Sequence, residues 1–178
     1  VKKRYVGKQI WPKESILIRG YETRRTDSFS IQIEALEDIF SKLMDRDIDN
    51  ALESSKNWVT RVSEGDFDDK NFVISKTVNL KRKYVNEVNQ AHLQAYKKYI
   101  ETGRPFVSGM KVSFIVTNAS VTPMKVEPYI PDEECPEPDY NYYADRLAKS
   151  LSRVTEVFDW DEKALKKGKR APKQQTLF

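Results

Sequence analysis

Lys2-Lys3-Arg4-Tyr5-Val6-Gly7 and, beyond a turn containing Trp11-Pro12, Ile16-Leu17-Ile18-Arg19-Gly20-Tyr21-Glu22-Thr23-Arg24-Arg25-Thr26-Asp27 open the chain with two strand-like segments rich in cations. A strand sends successive side chains to opposite faces, so Lys3 and Tyr5 share one face while Lys2 and Arg4 share the other. One face can therefore hold donors against a ligand. Taken alone, a Lys-Lys-Arg-Tyr run reads first as a solvated edge strand guarded by its charges. The second cationic segment, following so closely, is what raises a binding role above that reading.

The remaining sequence limits the choice of ligand and chemistry. At 178 residues the chain can bury one respectable core or two small ones, and it reads as one domain or a domain plus an appendage. Its longest apolar runs, such as Ile16 to Ile18 and Phe114 to Val116, are far short of a bilayer span and no signal-like segment opens the chain, which makes a cytoplasmic location the expectation. Thirty-one Lys plus Arg against 27 Asp plus Glu leave a net charge of +4, which permits nucleic-acid binding without demanding it. Cys135 and His92 each occur once, so neither an intrachain disulfide nor a Cys/His zinc site can form. Cys135 lies in a proline-rich acidic loop with no activating signature. The chain begins at Val1, inside a strand motif, and reads as a trimmed or split polypeptide with its upstream neighbours in another chain.

Periodicity predicts a mainly helical body. Ile33, Leu36, Phe40 and Leu43 recur at helical spacing after Asp27 and Ser28, two candidate caps. A second helix starts near Asp47, carries Ile48, Leu52, Ser55, Val59 and Val62, and stops at Gly65. Phe72 to Lys76 is too short for a helix with its own core face and reads as extended. Val88, His92, Ala95 and Tyr99 mark a third helix ending near Gly103 and Pro105. Residues 111 to 117 alternate as a half-buried strand, and Asn118 to Pro138, with five of the eight prolines, reads as an ordered loop or solvated excursion. The last long helix spans Tyr140 to Phe158 behind an Asp139 cap, with Tyr143, Leu147, Leu151, Val154 and Phe158 as its buried stripe.

In the minor groove every base pair offers acceptors at purine N3 or pyrimidine O2, so donors on the opening ribbon could grip duplex DNA without reading its sequence. The order and spacing of these segments resemble the palm-to-thumb junction of family B DNA polymerases. That family has a Lys-Lys-Arg/Lys-Tyr strand, then a strand with Arg-Gly-x-Glu, then Arg-Arg-Asp. The counterparts here are Lys2, Lys3, Arg4 and Tyr5, then Arg19, Gly20 and Glu22, then Arg25, Thr26 and Asp27, with Arg24 alongside. Thr26 stands where the family usually has its second Arg. Further along, Val73 to Asn79, Ala91-His92-Leu93, the strand carrying Gly109, Val112, Phe114, Ile115 and Val116, and the pair Tyr142-Tyr143 follow the family's order over roughly residues 1 to 165.

The resemblance implies an α+β fold: palm-edge strands over residues 1–27, a mainly helical thumb with a small β element over 28–165, and a flexible basic tail over 166–178. It implies DNA contacts from the opening residues and from Ser75, Lys76, Thr77, Asn79 and Lys81, with Arg82 and Lys83 as weaker candidates. The expected partners are double-stranded primer-template DNA and a larger chain carrying exonuclease, palm and fingers. Catalysis is expected from that chain, whose palm aspartates would hold Mg2+. The family's Asp-x-x-Ser-Leu-Tyr-Pro and Tyr-Gly-Asp-Thr-Asp motifs do not occur here, so no catalytic or metal-binding residue and no cofactor are assigned to this chain. Asp45-x-Asp47, Asp66-x-Asp68 and Asp159-x-Asp161 read as caps and turns. His92 and the aromatics Trp58, Tyr96 and Tyr99 read as packing residues, with the imidazole expected to be hydrogen-bonded. Gln174, Leu177 and Phe178 resemble part of a sliding-clamp-binding peptide. Two other readings are a DNA-binding adaptor that tethers a clamp, and a structural module whose basic strands face solvent.

Overall fold

The computed structural model describes residues 4–10, 15–20 and 27–167. The opening ribbon forms as expected: β1 (Tyr5–Gln9) pairs antiparallel with β2 (Ser15–Arg19), placing Tyr5 opposite Arg19 and Val6 opposite Ile18. Opposed residues share a face, so Tyr5 and Arg19 stand on one side and Val6 and Ile18 on the other. Ile18 is buried and Val6 packs against the core, which anchors the ribbon and leaves Tyr5 and Arg19 exposed.

Helices α1 (Ser30–Met44) and α2 (Ile48–Ser63) follow, packed against each other and against α4 (Tyr140–Thr155). Neither Asp27 nor Ser28 caps α1. Its N-cap position is Phe29, which makes no side-chain cap. The aromatic ring has a stronger claim on that position: Phe29 is fully buried, stacked on Phe72 and edge-on to Tyr143 at 5.1 Å. Asp27 meanwhile is turned toward Arg146, whose guanidinium donates to its backbone carbonyl at 2.5 Å.

A three-stranded antiparallel sheet, ordered β3-β4-β5, is built from β3 (Ile74–Thr77), β4 (Lys111–Asn118) and β5 (Lys125–Pro128). Strand β5 lies within the proline-rich span read from sequence as a loop. Pro128 comes last in the strand, where a missing N–H is tolerated, and the Lys98 ammonium binds the Val126 carbonyl at 2.9 Å. The third helix, α3 (Ala91–Glu101), packs on the sheet and begins later than its apolar spacing implied. Val88 belongs to a preceding 3-10 turn and is 64% exposed, so the buried face is His92, Leu93 and Ala95. Helix α4 ends at Thr155 and continues only as a 3-10 turn to Phe158.

The sheet and helices share one core through Tyr143. Its phenol oxygen accepts from the Val116 N–H at 2.9 Å, while the ring meets both Phe29 and Phe72. Asp139 caps α4 by accepting from the Tyr142 N–H, and its other carboxylate oxygen accepts from Ala119 N–H at 2.8 Å. Helix α5 (Glu162–Lys167), absent from the sequence reading, closes the lobe with Ala164 and Leu165 buried.

Candidate nucleic-acid interface

Among the described residues some cations are paired with carboxylates, whereas others, Arg46, Lys70, Lys125, Lys149 and Lys163 among them, are exposed without such a partner. The paired ones are Lys42 with Asp38, Arg61 with Asp66 at 2.8 Å, Arg104 with Glu133 at 2.7 Å, and Lys166 with Asp145, among others. Lys76, Lys81, Arg82, Lys83 and Lys111 are exposed and, among the described residues, have no carboxylate within ion-pair distance. These five belong to β3, the loop after it and the start of β4. Unneutralised cations gathered on one edge form an electrostatic footprint suited to a polyanion.

The loop carrying three of them is held rather than free. The Tyr84 phenol accepts from Asn79 N–H at 2.9 Å, and the Ser108 hydroxyl accepts from Leu80 N–H at 3.0 Å. The Asn79 side-chain oxygen accepts from Lys81 N–H at 3.0 Å and from the Ser108 hydroxyl at 3.3 Å, so this residue fixes the shape of the loop. The Arg82 guanidinium lies 5.5 Å from the Tyr84 ring centroid, and that ring is edge-on to His92. Burial, with the nearby charges of Lys76 and Arg82, brings the His92 pKa down to about 4. The imidazole is packed, but among the described residues it makes no hydrogen bond, contrary to the sequence expectation.

Strand alternation divides the expected contacts. Lys76 shares a face with buried Ile74 and, by register, with Val112; Ser75 and Thr77 share the opposite face with Ser113 and Lys111. On that opposite face the Ser75 and Ser113 hydroxyls are 2.8 Å apart. Lys111 and Ser113 were not among the residues singled out from sequence. The alternation of residues 111 to 117 marked them as the polar side of a strand, but only the β3–β4 register brings them beside Ser75 and Thr77.

On the opening ribbon, Tyr5 is 51% exposed and faces outward beside Arg19, while the Arg4 Nε donates to Gly20 carbonyl at 3.3 Å. Asp27 is half-buried against Arg146, and that guanidinium also reaches the Tyr142 phenol at 3.4 Å. Lys2, Lys3, Glu22, Arg24, Arg25 and Thr26 lie outside the described residues, as do Gln174, Leu177 and Phe178.

The described residues offer little for bond chemistry. No group of three or more His, Cys, Asp or Glu among them is arranged to hold a metal ion. Asp66 receives Arg61, Asp68 caps a 3-10 turn through Lys70 N–H, and Asp161 accepts from Ala164 N–H. Burial first, then Asp69 and Asp68, push the Cys135 thiol above its ordinary pKa, away from thiolate chemistry. Trp58 donates to Asp38 at 2.9 Å and stacks on Phe67, which accounts for it structurally. An open, mostly apolar cleft between Leu43, Arg46, Ile48, Val154 and Phe158 contains no acid, base or nucleophile. Among the described residues no helix is long and apolar enough to cross a membrane.

Residues 1–158 match the model of DNA polymerase family B. The chain belongs to that family, one of nucleotidyltransferases. Among solved structures it is similar to the family B DNA polymerase of the hyperthermophilic archaeon Pyrobaculum calidifontis, with a TM-score of 0.65 and 20% sequence identity. The match covers 88% of this chain and 20% of that polymerase, so the chain spans a fifth of the other's length. No curated protein matches it in sequence.

Proposed function

We propose that this chain is the duplex-gripping part of a family B DNA-directed DNA polymerase, its palm edge and thumb, with the catalytic aspartates and their Mg2+ on a partner chain. Family membership supplies the polymerase context, and the acidic pairs here, engaged in turns, caps and ion pairs, are unsuited to holding the metals. The observation that carries the reading is the set of unneutralised cations Lys76, Lys81, Arg82, Lys83 and Lys111 on one strand edge and its braced loop. Ammonium, guanidinium and hydroxyl groups on phosphate oxygens hold a duplex in register without specifying its sequence. A template-copying enzyme requires that indifference.

The bracing supports double-stranded rather than single-stranded DNA. Stacking platforms for unpaired bases need open aromatic faces, whereas the Tyr84 ring is engaged by Arg82 and His92, and the Tyr96 and Tyr99 rings are packed on Phe106. The exposed Tyr5 and Arg19 would add donors toward the minor groove, and Lys3, outside the described residues, is expected to join them. Gln174, Leu177 and Phe178 would tether a sliding clamp. Reconstitution tests the whole reading: mixed with a chain carrying exonuclease, palm and fingers, this chain should give processive primer extension that neither gives alone. Duplex and clamp binding with no effect on extension would instead identify an adaptor.

A further inference from the structure

We propose that the β3–β4 ribbon meets duplex DNA edge-on, with Lys76 and Arg82 on phosphates of one strand and Thr77 and Lys111 on phosphates of the other. This rests on the duplex-gripping reading and adds which strand each face serves. Three observations carry it. Thr77 and Lys111 are register partners on one face of the ribbon, whereas Lys76 leaves from the opposite face. Arg82 lies 5.5 Å from the Tyr84 ring centroid, that ring meets His92 edge-on, and Lys76 is near enough to the same imidazole to act on its charge. Finally, β3 is the outer strand of its sheet, and its outer edge has no partner strand among the described residues.

Cations leaving opposite faces of one ribbon diverge, so a ribbon lying flat on DNA would direct one set at phosphates and the other into solvent. With the β3 edge leading, both sets reach phosphates, one row on each side of a groove. None of the four residues has a carboxylate competing for it among the described residues, and Lys76, Thr77, Arg82 and Lys111 are all exposed. As register partners on one face, Thr77 and Lys111 can bring a hydroxyl and an ammonium to the same phosphodiester.

Two duplexes of identical sequence test this, one ordinary and one with every phosphate of a single strand replaced by neutral methylphosphonate. The readout is the salt dependence of full-chain binding, by fluorescence anisotropy, in which each phosphate contact contributes roughly 0.9 to the slope of log K against log salt. On the ordinary duplex, Lys111→Gln should lower the slope by roughly that amount. On the half-neutral duplex the protein can turn its weaker face to the uncharged strand, so Lys111→Gln should change nothing there. The Lys76→Gln/Arg82→Gln variant should lower the slope on both duplexes. An equal loss from Lys111→Gln on the two duplexes, or no loss on either, would overturn the two-strand assignment while leaving duplex gripping intact. Absence of salt-dependent binding by the unaltered chain would instead remove the underlying reading.

Discussion

Arg46 lies at φ 59°, where a side chain crowds its own backbone, and it does so at the end of α1 with Asp47 N–H bonded to Lys42 carbonyl at 2.9 Å. Gly65 ends α2 in the same way, at φ 70°, with Asp66 N–H bonded to Arg61 carbonyl. The two termini therefore predict opposite outcomes. Arg46→Gly should stabilise by roughly 0.5–1 kcal/mol, because it removes left-handed strain greater than the entropy glycine adds to the unfolded chain. Gly65→Ala should destabilise by about 2 kcal/mol or more, since a Cβ there would add that strain and approach the Tyr140 ring to 2.9 Å. Urea denaturation of both variants checks the pair. His92 makes a third case at this scale. Its folded pKa of about 4 lies below the ordinary 6.5, so between those values the unfolded state binds the extra proton and stability falls as pH drops. The His92 contribution is fully present above pH 6.5 and should decline by up to about 1.4 kcal/mol per pH unit below it. His92→Gln should remove that part of the pH dependence in melts between pH 7.5 and 4.5, and an unchanged profile would contradict the assignment.

At the scale of elements, Asp139 shows how one residue can organise two of them. Its carboxylate caps α4 and also satisfies Ala119 N–H beyond the end of β4, and its own N–H binds Val116 carbonyl. Asp139→Ala should cost about 1–2 kcal/mol, by loss of the cap and exposure of an unpaired donor; a loss of a few tenths in chemical denaturation would show that the link to the sheet is unimportant. That cap was legible in the sequence because an acidic residue stood directly before a long apolar stripe. Helix α2 was legible for the same kind of reason, with Ile48, Leu52, Val59 and Val62 repeating up to a terminal glycine. The start of α1 was not, because burial of Phe29 among Phe72 and Tyr143 is a tertiary matter that outweighed the capping preference of Asp27 and Ser28. Strand β5 was hidden by composition: a short proline-bearing strand is viable only where neighbours such as Lys98 answer its backbone. Lys111 and Ser113 entered the candidate interface through register, which a single sequence does not encode visibly.

For the molecule as a whole, the proposed function rests on the gathering of Lys76, Lys81, Arg82, Lys83 and Lys111 around one strand and its loop. The sequence carried the family resemblance in its motif order, and the match over residues 1–158 bears it out. Net charge alone, at +4, could not have located a binding face. Packing marks the candidate face, by tying the loop after β3 through Tyr84 and Ser108 while Lys81, Arg82 and Lys83 stay exposed. The central claim is that this edge grips double helix through its phosphates. The most direct measurement is duplex affinity from low to high salt for the full chain and for a Lys76→Gln/Arg82→Gln/Lys111→Gln variant, with Lys149→Gln as the control. We predict that the triple variant lowers the magnitude of the log–log slope by roughly 2–3 while the control leaves it unchanged. The same slope in all three proteins would contradict the account.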